Sequence, residues 1–177
     1  RSQVLVQNFR PGVADRLGLG FDAVHRRNPA LVYASISGFG DSGPRVAQAA
    51  TDSVLQAYTG LSWANRAADG TPRRVPLLLP DNATALYAAQ AITSALVAQA
   101  LRGEGAHLKL SLLECCVALQ AAPIVDAQIA AQAPPVAALL APAGDYRVAD
   151  GWVQMGCLNQ GMFERLAALL DRADWLA

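Results

Sequence analysis

Two aspartates, an asparagine–phenylalanine pair and two arginines are the residues whose types and settings could do chemistry. Asp81 follows the apolar stretch Val75 to Leu79 and Pro80, and stands just ahead of a long alanine-rich segment. A carboxylate at such a place accepts free helix N–H groups and sits at the positive end of the helix dipole, which keeps it ionised. On these residues alone a helix cap accounts for it. Asp52 opens a helical stretch carrying Val54, Leu55 and Tyr58, and on these residues alone reads as a helix cap. Asn8 and Phe9 follow the apolar run Val4-Leu5-Val6, at the carboxyl end of a strand, where open α/β sheets bind ligands. The plain alternative is a turn-capping asparagine and a core phenylalanine. Arg16, with Arg10 behind it, offers a guanidinium fork that matches phosphate oxygens, or else a solvated charge.

Other groups that often do chemistry read as structural. His25 and His107 are far apart in sequence and have no clear partner, so each is expected to be a satisfied surface or core histidine. Cys115 and Cys116 lie in an apolar helix and read as packed thiols, and Cys157 has no activating neighbour. Three cysteines without a C-x-x-C pair exclude a zinc ribbon, a thioredoxin-like motif and a disulfide framework, so no metal is expected and a reducing, cytoplasmic setting is the default. The loop Gly38-Phe39-Gly40-Asp41-Ser42-Gly43-Pro44 lacks the third glycine of a dinucleotide fingerprint, and its glycines read as allowing tight turns beside a ligand.

The elements that must position these residues alternate. Val4 to Val6 is a strand, Val13 to Leu17 a helical turn entered at Pro11, and Phe21 to Arg27 a short helix stopped by Asn28-Pro29. Leu31 to Ile36 is a second buried strand, so strand, helix and strand make a βαβ unit and a parallel sheet. Asp52 or Ser53 caps the next helix, which Gly60 stops. Asn82 to Leu101 is the longest helix, ended by Gly103-Glu104-Gly105. His107 to Leu110 is a strand and Leu112 to Leu119 a buried helix. Composition then shifts: residues 120 to 143 are almost all alanine, proline, glutamine and aliphatics, and read as a linker or as a helix broken at Pro134-Pro135. Tyr146-Arg147-Val148, the turn at Ala149-Asp150-Gly151 and Trp152 to Met155 form a hairpin, and Asn159 caps a helix from Met162 to Leu170.

With 177 residues, 53% of them apolar, the chain can bury a core of its own. Its 14 basic and 14 acidic side chains balance, which argues against a dedicated nucleic-acid binder. No uninterrupted apolar run reaches about 18 residues, so no membrane span is expected. The chain opens directly into an apolar strand and closes just after an amphipathic helix, the pattern expected of a piece of a larger fold.

Three segments resemble the family III CoA-transferases of CaiB/BaiF type, which include formyl-CoA transferase and the α-methylacyl-CoA racemases. They are Val4-Leu5-Val6-Gln7-Asn8-Phe9-Arg10-Pro11-Gly12 with Leu17-Gly18; Asn28-Pro29-Ala30-Leu31-Val32-Tyr33 with Ser35 to Pro44; and Pro80-Asp81 with Thr84 to Ile92, Gly103-Glu104-Gly105 and Leu110 to Glu114. The resemblance runs from residue 3 to about 120 and continues more weakly over 145 to 177. It implies an α/β fold: residues 1–122 as part of a Rossmann-type, CoA-binding large domain with a partial parallel sheet, 123–143 as a linker, and 144–177 as the start of a small α+β domain. Family members being roughly twice this long, the first part of the large domain, the rest of the small domain and the C-terminal return are expected to lie outside the chain.

The same resemblance implies CoA transfer between an acyl-CoA and a carboxylic acid, by way of an aspartyl anhydride and an aspartyl-CoA thioester. Asp81 would be the nucleophile, Asp52 an acidic group beside it, and Asn8, Phe9 and Arg16 part of the CoA site. An interlocked homodimer is implied as well. Two alternatives stand beside it: a CoA-binding or dimerising remnant without turnover, and an acyl-CoA racemase. Racemases of the family carry a histidine base just before the acidic position, and here Thr51 stands there. Three further departures are visible. Ala85 replaces a glycine after the nucleophile, Gln7 stands where glutamate is common, and the glycine-rich loop that shields the site in many transferases is not visible between 120 and 150.

Overall fold

A computed structural model describes residues 2–130 and 142–176, which divide into two units, Arg1–Val125 and Asp126–Ala177. The first unit holds a three-stranded parallel sheet of β1 (Val4–Gln7), β2 (Val32–Ser37) and β3 (Ala106–Ser111), in the order β1-β2-β3. Helices α1 (Val13–Arg16) and α2 (Phe21–Arg27) connect β1 to β2. Helices α3 (Asp52–Tyr58), α4 (Leu61–Ala64) and α5 (Leu79–Arg102) connect β2 to β3, and α6 (Leu112–Leu119) follows. Parallel strands require such crossovers, so all three carboxyl ends fall on one edge of the sheet.

The centre of the sheet is β2, where Val32, Tyr33 and Ala34 have almost no exposed surface. Alternation puts Tyr33, Ser35 and Ser37 on one face, beside His107 and Lys109 of β3 in register. Helix α2 packs on that face. The Phe21 ring lies flat against His107 with centroids 4.2 Å apart, and against His25 on its own helix at 4.9 Å. Tyr33 stands edge-on to His107, and its hydroxyl donates to the Leu19 carbonyl at 2.7 Å. The two histidines, remote in sequence, therefore share one ring. His107 is satisfied by Ser35 Oγ at 3.0 Å, but His25 Nδ1 is buried with no partner among the described residues, contrary to the expectation for His25.

Helix α5 packs against β2, β3, α3 and α6 through small side chains, with Ala83, Thr84, Ala88 and Ala95 buried. Among the described residues it is the one single helix that by length and composition alone could cross a membrane, a feature that counting uninterrupted runs passes over. It ends on Gly103, whose φ of 75° is the left-handed conformation glycine adopts freely. A Cβ on Gly105 would collide with the backbone of Ala30 and Leu31, so the chain turns into β3 where only glycine fits. Ser111 caps α6: its Oγ accepts from the Glu114 amide at 3.1 Å and donates to the Glu114 carboxylate at 2.7 Å.

Two boundaries differ from the sequence reading, and both involve the acidic residues. Helix α5 begins at Leu79, not Asn82, with Leu78 as its cap. Proline has a helical φ and needs no N–H partner in a first turn, so the helix takes in Pro80 and Asp81. Asp81 is thus a first-turn residue, not a cap. Helix α3 is capped by the backbone of Thr51, without a side-chain bond, because the Asp52 carboxylate turns inward to other partners.

Helix α7 (Ala121–Ala130) occupies part of the stretch expected as a linker, and Pro134-Pro135 lie outside the described residues. The second unit contains the antiparallel pair β4 (Ala143–Val148) and β5 (Gly151–Gly156), then α8 (Gln160–Leu169) and a 3-10 turn at Ala173–Leu176. Asn159 caps α8 as expected, its side chain accepting from the Met162 amide at 2.9 Å.

Candidate active site

The carboxyl edge of the sheet opens into a cavity of about 510 Å³. Its walls come from four places: Asn8 to Pro11 after β1, Ile36 to Gly38 at the end of β2, Val46 to Asp52 leading into α3, and Asp81, Thr84 and Ala85 at the start of α5. Asn8, Phe9, Asp52 and Asp81 are thus brought together from segments spread over more than 70 positions, and Arg10 joins them. Arg16 lines neither this cavity nor the neighbouring one of about 530 Å³ above Tyr33, Ser35 and His107, and is exposed on α1 beside Gly12.

Close approach shapes the floor. A Cβ at Gly38 would run into the Ala50 side chain, so glycine lets the lead-in to α3 cross the end of β2. The Gly38 carbonyl accepts the Leu113 amide at 3.0 Å, fixing that turn to the first turn of α6.

The two carboxylates differ sharply in setting. Asp52 is buried, with 4% of its surface exposed, and both oxygens are engaged. Oδ1 accepts from Gln56 Nε2 at 2.7 Å and Oδ2 from the Asp81 backbone amide at 3.3 Å. Asp81 has an exposed side chain at the cavity wall, and its carboxylate is free of hydrogen bonds among the described residues. Partial desolvation where α5 packs raises its pKa above the ordinary aspartate range, and the charge of Asp52 raises it further. The helix N-terminus acts in the opposite direction, favouring the anion. An exposed carboxylate without hydrogen-bond partners, held rigidly by a first helical turn, can attack an electrophile that enters the cavity.

Behind these carboxylates lie residues the sequence did not single out. Gln56 is completely buried and ties α3 to the segment before α5, donating to the Leu77 carbonyl at 2.9 Å and accepting from the Val75 amide at 2.8 Å. Thr84, also buried, donates to the Pro80 carbonyl at 2.7 Å and tightens the turn that carries Asp81. The signal for Gln56 was its place four residues after Asp52 on one helix face. Cys115 and Cys116 are packed thiols as expected, and burial pushes the Cys115 thiol up. Among the described residues no group of three or more His, Cys, Asp or Glu is placed to hold a metal ion.

The first unit is thus a parallel α/β sheet with a ligand-sized cavity at its carboxyl edge, walled by one exposed and one buried aspartate. The sequence profile of CoA-transferase family III matches residues 1–177, and the chain belongs to that family. It is 41% identical over 115 residues to acetyl-CoA:oxalate CoA-transferase of Acetobacter aceti, covering 64% of this chain and 30% of that protein. It is 29% identical over 174 residues to succinate–glutarate CoA-transferase of Agrobacterium fabrum, covering 96% and 43%. Among solved structures, Rv3272 from M. tuberculosis in its orthorhombic form superposes with a TM-score of 0.86 at 28% identity, over 98% of this chain and 46% of that one. A CAIB/BAIF family protein from Brucella suis does so with a TM-score of 0.80 at 30% identity, over 98% and 47%. The chain thus spans half or less of the length of these relatives.

Proposed function

We propose that the chain carries the nucleophile and part of the CoA site of a transferase that moves CoA between an acyl-CoA and a carboxylic acid. The observation that carries this reading is Asp81: an exposed carboxylate on a first helical turn, facing the cavity it shares with Asn8, Phe9 and the buried Asp52. The relatives named for CoA transfer support it.

An oxygen of Asp81 attacks the thioester carbonyl of the donor, the C–S bond breaks, and CoA leaves as thiolate from a mixed anhydride. The thiolate attacks the aspartyl carbonyl, which releases the donor acid and leaves an aspartyl-CoA thioester. The acceptor carboxylate attacks that thioester, freeing thiolate and forming a second anhydride. Attack of the thiolate on the acceptor's own carbonyl gives the new acyl-CoA and returns Asp81. Charge is conserved at every step, so the site needs no proton relay. Each cycle leaves on Asp81 one oxygen that came from the acceptor.

Asn8 and Phe9 would hold the pantetheine arm at the sheet edge, and Asp52 would fix the backbone from which Asp81 projects. Arg10 lines the cavity and is better placed for a CoA phosphate there than Arg16, which would serve only a nucleotide lying along the outer surface of α1. Thr51 lines the cavity where the racemases of the family carry their histidine, and no histidine lines it among the described residues, which weighs against the racemase alternative. The open cavity and the chain's share of its relatives favour, as a second reading, CoA binding without turnover until further chain completes the site. Three unpaired cysteines support a cytoplasmic setting, and the family resemblance supports an interlocked homodimer. The test is isotopic. Turnover with an acceptor acid labelled with heavy oxygen should place label in the peptide containing Asp81, and turnover without label there would refute the scheme.

A further inference from the structure

Among the described residues Gln56 is the fully buried side-chain amide beside Asp52 and Asp81, and the reaction scheme gives it no task. Its Nε2 donates to Asp52 Oδ1 at 2.7 Å and to the Leu77 carbonyl at 2.9 Å, with the Val75 carbonyl at 3.3 Å. Its Oε1 accepts from the Val75 amide at 2.8 Å. Residues 75–77 have no helical or strand bonding of their own and lead directly into α5. The remaining Asp52 oxygen holds the Asp81 amide. One amide therefore grips the chain before Asp81 and, through Asp52, the backbone at Asp81 itself.

A buried amide is a costly way to fill a core, because every polar atom must be matched, and an aliphatic side chain would pack there without that demand. What the amide adds is a fixed geometry between α3 and an otherwise unsupported lead-in. We propose that Gln56 is a positioning residue for Asp81, setting through Val75, Leu77 and Asp52 where the carboxylate stands in the cavity. This rests on the reading of Asp81 as nucleophile. The charged groups around the network are Asp52 on α3, Asp81 on α5 and Arg74, whose guanidinium donates to Ser53 Oγ at 2.8 Å.

The test compares the full chain with Gln56→Leu and with Gln56→Met, an uncharged, unbranched side chain of similar length that gives a second folded variant if the leucine variant does not fold. Three quantities are read: CoA affinity, the rate at which acyl-CoA acylates Asp81, and hydrogen exchange of the Asp81 amide. Misplacement of a reacting group by about 1 Å costs as much as a hundredfold, so acylation should fall about tenfold or more while CoA affinity stays within about twofold. The Asp81 amide should lose protection. A folded variant that acylates at the parent rate overturns the proposal, whatever its melting temperature. If the parent chain is not acylated at all, the transferase reading fails. Amide exchange then decides alone: unchanged protection at Asp81 in the folded variants overturns the positioning role, and lost protection upholds it.

Discussion

The backbone amide of Asp81 points at the Asp52 carboxylate, with 3.3 Å between the nitrogen and Oδ2. A buried acid on one helix thereby holds the first turn of another, and its charge acts on the exposed acid of that turn. Asp52→Asn keeps the size and an acceptor oxygen but removes the charge. Asp81 should then titrate lower than in the parent, which carbonyl NMR of labelled aspartate can follow. Because the nucleophile must be ionised, the acid limb of acylation against pH should move down with it. In the parent, the raised Asp81 pKa should set that limb above the ordinary aspartate range. An unmoved Asp81 titration would mean that desolvation alone raises it.

Asp81 also makes a statement about stability. Its pKa in the fold is raised, so folding favours the protonated form relative to the unfolded chain. Its contribution is fully present below the unfolded pKa and is lost as pH rises through the folded value. At neutral pH the ionised carboxylate is therefore a net cost. Asp81→Asn should melt slightly higher than the parent at pH 7, the difference closing as pH drops below the aspartate range. Because Asp81 is exposed the gain is small, about 1 kcal/mol or less. Thermal melts of both chains across that range check it.

His107 has the opposite sign. Burial lowers its pKa from 6.5, and Lys109 lowers it further, so the fold favours the neutral ring against Phe21. That contribution is present above the unfolded pKa and is lost as pH falls through the folded value. Stability of the first unit should decline as pH drops below about 6.5. The decline should be shallower in His107→Phe, which keeps the stack on Phe21 and gives up only the bond to Ser35. Denaturant melts at stepped pH distinguish the two slopes.

Gly105, the residue just before β3, leaves no room for a side chain. A methyl group there meets the backbone of Ala30 and Leu31, which cannot move without shifting the start of β2. Gly105→Ala should cost about 1–3 kcal/mol in denaturant unfolding. Gly40→Ala, where the added group has open space around it, meets only the strain of a positive φ and should cost less.

Local patterns made most of the fold legible in the sequence. Val4 to Val6, Leu31 to Ile36 and His107 to Leu110 read as strands because they are short apolar runs bounded by turns, and each lies within a residue or two of its observed extent. The hairpin around Ala149-Asp150 and the Asn159 cap were legible for the same reason. Position relative to Pro80 misled, because proline reads as a helix boundary while here it sits inside the first turn. That error made Asp81 look like a cap. The stacking of His107 on Phe21 and the network of Gln56 were not legible, because both depend on tertiary neighbours 86 and 19 to 21 positions away. The cavity that joins Asn8 to Asp81 was visible only through resemblance, since no spacing rule brings the ends of different strands and helices together.

In the proposed scheme Asp81 forms a covalent bond to the acyl group or to CoA. Intact mass spectrometry of the chain incubated with a panel of acyl-CoAs, beside Asp81→Asn, tests it most directly. The parent should gain a mass equal to an acyl or CoA adduct, discharged by hydroxylamine and missing from the variant. An adduct of equal yield on both chains, or none on the parent with any donor while CoA still binds, would contradict it.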